Sequence, residues 1–302
     1  MSWLLFAFSG PILWALSTHL DKYLVERFFK ESNTAVLLVF TALVGALLLP
    51  LIWTCEPRVV ELPIASILLM LLSGLLYMTA LFFYLRAIQT EEASVVAVFF
   101  QAAPLFGYVL GYLVLGETLS LTQTVGGILV ILGALMASVR LDAPGTAFKG
   151  KLVALMLGCA LTMSVSSLIF KLFSVRAEFW TTTFWMLAGQ AIFGAGLFAS
   201  ARLRRQLFTL FHRNPVALLS INGANELINL GGSLGSRYAL TLAPLSLVQA
   251  VGATTTIFVF AFGIVLSLFA PSLARESLVG RQLAAKGIAA VLVAFGVTLI
   301  NR

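Results

Sequence analysis

The sequence predicts an all-α membrane protein in which ten transmembrane helices form two inverted five-helix repeats. Three observations carry that prediction. Apolar runs of spanning length recur from one end of the chain to the other, separated by short charged breaks. There are ten of them, and the first five echo the second five in the same order.

Composition sets the class. Of the 302 residues, 60% are hydrophobic and 10% charged, and the mean hydropathy is +1.03. A soluble chain carries about 25% charged residues, so the shortfall means a polytopic membrane protein whose first partner is the lipid bilayer. The net charge of +7 lies mainly in the breaks between apolar runs. That is the distribution of membrane-flanking anchors, not of a nucleic-acid-binding face, so no nucleic acid is expected as a partner. Cys55 and Cys159 lie far apart, with no CxxC and no neighbouring His. They read as packing residues rather than metal ligands or a disulfide. His19 and His212 are the two histidines, too few for multi-histidine metal chemistry, and no cofactor is expected. With no HExxH, P-loop or nucleophile–His pairing, an enzyme is not expected; an intramembrane protease or lipid transferase is a distant alternative.

A helix needs around 20 mostly apolar residues to span a bilayer. The first such run, Trp3–Val25, lacks a basic n-region, and Asp21 and Lys22 stand where a signal peptide would need small residues. It reads as a retained span. Thr34–Trp53 and Ile64–Ala87 follow, separated by the break Glu56–Glu61. Ser94–Gly116 comes after Glu91 and Glu92 and contains Pro104, which removes a backbone hydrogen bond and predicts a kink beside Gln101. Leu121–Val139 completes the first half. After the break Arg140–Lys149 come Lys151–Ser174, Trp180–Ser200, Val216–Leu240, Ser246–Phe269 and Gln282–Ile300. The loops after the odd-numbered spans hold most of the Lys and Arg. The heaviest cluster is Arg202, Arg204, Arg205 and Arg213, which places that loop in the cytoplasm.

Self-comparison supplies the repeat. Ala87 to Val96 (AIQTEEASVV) aligns without gaps on Ala239 to Val248 (ALTLAPLSLV), and the same register sets Gly111 on Gly263. Ser17 and Lys22 match Ser166 and Lys171, while Glu117 and Gln123 match Glu276 and Gln282 across a longer loop. Residues 1–145 and 150–302 therefore read as two copies of one unit. Five spans per copy is an odd number, so the second copy is inverted. Inverted repeats place a transport site near the midplane between them.

The segments Pro104-Leu105-Phe106-Gly107, Leu115-Gly116-Glu117-Thr118-Leu119 and Gln123 to Gly133, with Tyr84 to Ser94 before them, resemble the end of an EamA-type unit of the drug/metabolite transporter superfamily. In the second copy Thr256 stands opposite Pro104, and the turn at Glu276 is displaced by an insertion. The resemblance implies a secondary transporter of a polar small metabolite, an amino acid or similar. It further implies alternating access, proton or exchange coupling, a bacterial or archaeal plasma membrane, and a monomer or homodimer.

Leu218–Tyr238 is the stretch most unlike its surroundings. Asn222, Asn225, Glu226 and Asn229 form one helical stripe inside an expected span. The repeat-related region Met70–Tyr77 has no Asn and no acid, so the stripe is not a requirement of the repeated fold. Glu226 reads as a coupling or recognition carboxylate, because an intramembrane ionisable group marks a pathway by default. Its alternative is structural glue bonded to Asn222 or Asn229. Gly231 and Gly235 read as a packing notch. His19, Asp21 and Lys22 are either a gate or interfacial groups. Lys22 and the repeat-related Lys171 either attract an anion or snorkel to headgroups. Gln101 and Gln249 put amides into apolar runs, and Tyr77, Tyr84 and Tyr238 line a cavity or belong to an aromatic belt. A second functional class remains open. One form is a flippase for a lipid-linked or phosphorylated headgroup, with Lys22, Lys171 or Arg237 as its basic site. The other is a scaffold, which would hold no cavity around Glu226.

Overall fold

The computed structural model describes residues 2–27, 35–90, 102–138, 150–213, 215–269 and 280–300. Gln101 and Glu276 lie outside these residues. So do Glu91 and Glu92, and with them the expected kink of the helix before Pro104.

The described residues are helical, and no strand occurs among them. Helices α1 (Ser2–Arg27), α2 (Ala35–Cys55) and α3 (Ile64–Thr90) open the chain. Helix α4 (Ala102–Leu110) continues into a π-helical turn, Gly111–Leu115, and is followed by α5 (Leu121–Ser138). The second half comprises α6 (Gly150–Ser174), α7 (Phe179–Ala199), α8 (Ala201–Arg213), α9 (Gly223–Leu242), α10 (Leu245–Gly252), α11 (Thr255–Phe269) and α12 (Gly280–Ile300).

Among the described residues, six segments are long and apolar enough to cross a membrane: those of α1, α2, α3, α6 and α7, and the run Leu245–Ser267 through α10 and α11. Ala102–Leu115, Leu121–Gly133 and Gly287–Ile300 are apolar but shorter. The eighth expected span, α9, does not join the six because its polar stripe lowers its hydropathy. The sequence thus predicts ten spans, and six meet the length and hydropathy of a span outright among the described residues. The outer surface is apolar as lipid contact requires: Leu121, Leu47 and Leu113 are 80%, 74% and 71% exposed.

The ninth expected span is broken rather than continuous, with a turn at Ala253–Thr254 between α10 and α11. The hydroxyls of Thr254 and Thr255 donate to the carbonyls of Val251 and Gly252, both at 2.7 Å. The Val251 carbonyl also accepts the backbone N–H of Thr254 at 3.0 Å, so hydroxyl and amide together serve the polar groups at the break.

Helix α8 replaces an expected charged break. Leu203, Leu207 and Leu210 are buried at helical spacing, against the start of α2 in one apolar cluster, and Phe211 stacks on Phe40 at 5.3 Å. Arg202, Arg204, Arg205 and Arg213 are exposed on the other face. This is the amphipathic pattern of a helix lying along a membrane interface.

Each helix of the first half packs on one from the second: α1 on α9, α2 on α7, α3 on α6, α4 on α10, and α5 on α12. Glycines let several of these pairs meet backbone to backbone. A Cβ at Gly74 of α3 would lie 2.0 Å from the carbonyl oxygen of Met186 in α7, and one at Gly189 would lie 2.1 Å from that of Leu71. In α5 and α12, a Cβ added at either Gly126 or Gly296 would lie 2.7 Å from the other's carbonyl oxygen.

Candidate functional site

Helices α2, α3, α7 and α9 surround a small, partly open cavity of about 30 Å3. Helix α9 supplies its polar wall through Glu226, Asn229, Ser233 and Arg237, which recur every third or fourth residue and so share a face. Thr41 and Gly45 come from α2, Tyr77 from α3, and Leu187 and Gln190 from α7. The cavity draws on both halves of the chain.

Glu226 is 5% exposed. Its Oε1 accepts a hydrogen bond of 2.8 Å from the Thr41 hydroxyl, which fixes the carboxyl against α2. Arg237 is 8% exposed. Its guanidinium carbon lies 4.7 Å from the centroid of the Tyr77 ring and 5.6 Å from that of Phe170. Charges of this kind cost about 2.5–3.5 kcal/mol at the centre of an inserting helix. Cation–π contacts return about 0.5–2 kcal/mol each.

The adjacent face of α9 is a seam with α1. Ser17 donates to Asn225 Oδ1 at 2.7 Å, and Asn225 Nδ2 donates to Asp21 Oδ1 at 2.6 Å. Below this pair the helices close on glycine: a Cβ at Gly232 would meet Leu13 and Trp14, and one at Gly235 would meet Ser9. A Cβ at Gly231 would lie 3.4 Å from Leu13. Asn222 is fully buried, and neither atom of its amide meets a partner among the described residues. The expected single stripe is therefore two: Asn225 belongs to the α1 seam, and Glu226 and Asn229 to the cavity. Glue from Asn222 or Asn229 to Glu226 is not what holds the carboxyl; Thr41 does that.

At the end of the molecule beyond Arg237, connections from both halves are tied together. Gly116 takes a left-handed conformation (φ 66°), which reverses the chain after the π-turn. Glu117 thereby reaches Lys171 on α6, with its Oε1 2.5 Å from Nζ. Its Oε2 accepts 2.8 Å from the backbone N–H of Leu245. Lys171 Nζ also donates to the carbonyl of Ala243. The two side chains are 12% and 14% exposed. Lys171 is therefore an ion-pairing residue at a junction of four elements. Trp185 Nε1 donates to the carbonyl of Val59 at 2.6 Å, which closes the connection after α2 onto α7. Phe170, Phe179 and Tyr238 pack edge to face between the junction and the cavity.

The remaining expected residues lie elsewhere. His19 is buried, with Nε2 2.9 Å from the carbonyl oxygen of Val259, so it ties α1 to α11. Lys22 is exposed, outside the cavity. Gln249 sits within 3.4 Å of the Ser164 hydroxyl, which in turn donates to Ala103 O at 3.1 Å. It bridges α10, α6 and α4. Thr41, Gln190 and Ser233 line the cavity without having been singled out in the sequence. Ser233 continues the spacing of Glu226 and Asn229 and was readable from it.

Among the described residues no group of His, Cys, Asp and Glu is clustered to hold a metal ion.

The EamA-like transporter family model matches residues 1–139. No curated protein matches the sequence. A solved crystal structure superposes with a TM-score of 0.70 at 16% identity, covering 99% of this chain and 96% of that one. The whole chain therefore has the fold of that structure, although the family model matches its first half. Residues 1–139 are thus similar to the EamA-like transporter family, and the long apolar helices make the protein a multi-pass membrane protein.

Proposed function

We propose that the protein is a secondary transporter that moves a polar small metabolite by alternating access through the cavity between its two halves. The observation that carries this reading is the cavity itself. It holds a buried carboxyl, Glu226, and a buried guanidinium, Arg237, inside an otherwise apolar bundle. Both groups lie on a different face of α9 from the one that closes on α1.

Two inverted five-span repeats fit the helix pairing. The first, second and third spans pack on the eighth, seventh and sixth, and the fourth and fifth on the ninth and tenth. A two-fold axis in the membrane plane generates that reversed order, and it favours rocking of one half against the other. The junction of Glu117, Lys171, Ala243 and Leu245 closes one end of such a pathway. In this scheme Glu226 is the coupling or recognition group, with Thr41 holding it in place while the cavity faces either side.

Purified protein in liposomes, assayed with labelled amino acids and related metabolites, gives the test. Glu226→Gln keeps the shape and the Thr41 contact but removes the charge. Flux of the wild-type substrate is expected to fall by about tenfold or more, the scale of a lost charge-assisted bond worth ~1.5–3 kcal/mol. Unchanged flux would remove Glu226 from the mechanism.

A further inference from the structure

We propose that Arg237 is the anion-binding residue of the cavity and that the transported solute carries an oxyanion, a carboxylate or a phosphate. The assignment rests on the transporter reading and narrows it to a substrate class.

Arg237 is the cavity's cation, and it is nine-tenths buried. Among the described residues no carboxylate pairs with it, whereas Lys171, in the turn beside Phe170, has Glu117 at 2.5 Å. Glu226 cannot serve, because on the same helix it stands about 16 Å away along the axis. What Arg237 does have is aromatic: Tyr77 and Phe170 lie within 4.7 and 5.6 Å of the guanidinium carbon. Rings at these distances screen the cation and limit how it can turn. They accept none of its five N–H groups in the way an oxygen does. The donors need oxygen, and the space they adjoin is the cavity. A planar guanidinium presents them as a fork that fits two oxygens of one carboxylate or phosphate.

The chemistry around the fork agrees. The nearer lining is Ser233, Tyr77 and Leu230, which offers hydroxyls and apolar surface and no acid. The one acid of the cavity is at the opposite end, on Thr41. The cavity is thus polarised along α9, with a cation at the end toward the Glu117–Lys171 junction and an acid away from it. An oxyanion that reaches the guanidinium meets no like charge beside it.

The test compares anions with neutral analogues of the same shape. Amino acids and benzoate are set against their primary amides, and phosphate monoesters against the parent alcohols. Thermal unfolding of the detergent-solubilised protein reads binding, and counterflow in liposomes reads transport. At least one anion is expected to stabilise the wild type while its neutral analogue does not. Which of the carboxylate and phosphate arms responds identifies the oxyanion. Arg237→Gln is expected to weaken that binding by about tenfold or more, and Arg237→Lys, which keeps the charge without the fork, to fall between. Arg237→Lys also serves as the measured variant if Arg237→Gln does not fold. The assignment is overturned if no anion stabilises the wild type. It is equally overturned if neutral analogues match their anions, or if either variant binds the anion as the wild type does. Counterflow of a neutral solute under those results leaves the transporter reading standing. Anion binding at Arg237 with no counterflow of the bound anion removes the transporter reading and leaves the site.

Discussion

Asn225 and Glu226 are neighbours in sequence, and their side chains leave α9 about 100° apart. That turn decides what each one does. Asn225 faces α1 and satisfies Ser17 and Asp21, while Glu226 faces the cavity and is held by Thr41. Replacing Asn225 with Leu strands the Asp21 carboxyl without its amide donor, and the expected loss of stability is about 1–3 kcal/mol. Asn222→Leu removes an amide that meets no partner, so it is expected to leave stability unchanged or raise it. Thermal unfolding of the two variants in detergent separates the roles, and equal losses would contradict the division. The polar stripe was legible in the sequence because Asn and Glu stand out in an apolar span. Its splitting into two faces was not, because that depends on which neighbour lies on each side. Thr41 and Gln190 were invisible for another reason: single hydroxyls and amides in apolar helices satisfy their own backbone as often as they line a site.

At the scale of the elements, hydropathy alone marked α1, α2, α3, α6 and α7, since each is one uninterrupted apolar run of span length. It failed at α8. The arginines between 202 and 213 were read as a break, although Leu203, Leu207 and Leu210 already carried the spacing of a buried face. The break within the ninth span was equally hidden, because its sequence is apolar throughout and the turn is supported by threonine hydroxyls. Glycine was partly readable as a packing signal, but its strictest use lies between α3 and α7. There Gly74 meets backbone atoms, which cannot move aside as side chains do. Gly74→Ala is expected to destabilise the protein by about 1–3 kcal/mol through overpacking. Gly127→Ala, with nothing near its new methyl, is expected to be neutral or stabilising by up to about 1 kcal/mol. Folded yield and unfolding temperature of the pair check the contrast. A tolerated Gly74→Ala would mean that the two helices can part at that point without loss.

For the molecule as a whole, the junction at Glu117 is where residues distant in sequence hold one end shut. Gly116-Glu117 was legible as a turn, but its partner was not, because Lys171 resembles any lysine at a span end. In a Cys55→Ser background, a cysteine introduced as Ser246→Cys lies in the first turn of α10, buried beside this junction. Glu117→Gln is expected to speed its labelling by a membrane-impermeant maleimide by about tenfold, the equivalent of ~1.4 kcal/mol in an opening equilibrium. Labelling at the wild-type rate would show that the ion pair does not hold that end closed.

The seam between α1 and α9 also sets a timetable for making the protein. Asp21 and the Asn225 that satisfies it are 204 residues apart in the chain, and Ser17 and the same Asn225 208. At about 5–20 residues per second of synthesis, roughly 10–40 s separate the emergence of Asp21 from that of its donor. During that interval α1 must sit at the membrane with an unmatched carboxyl. Helix α9, too polar to enter lipid on hydropathy alone, must wait for α1 to receive it. The polar helix of the second half is therefore the one that completes the first helix of the chain.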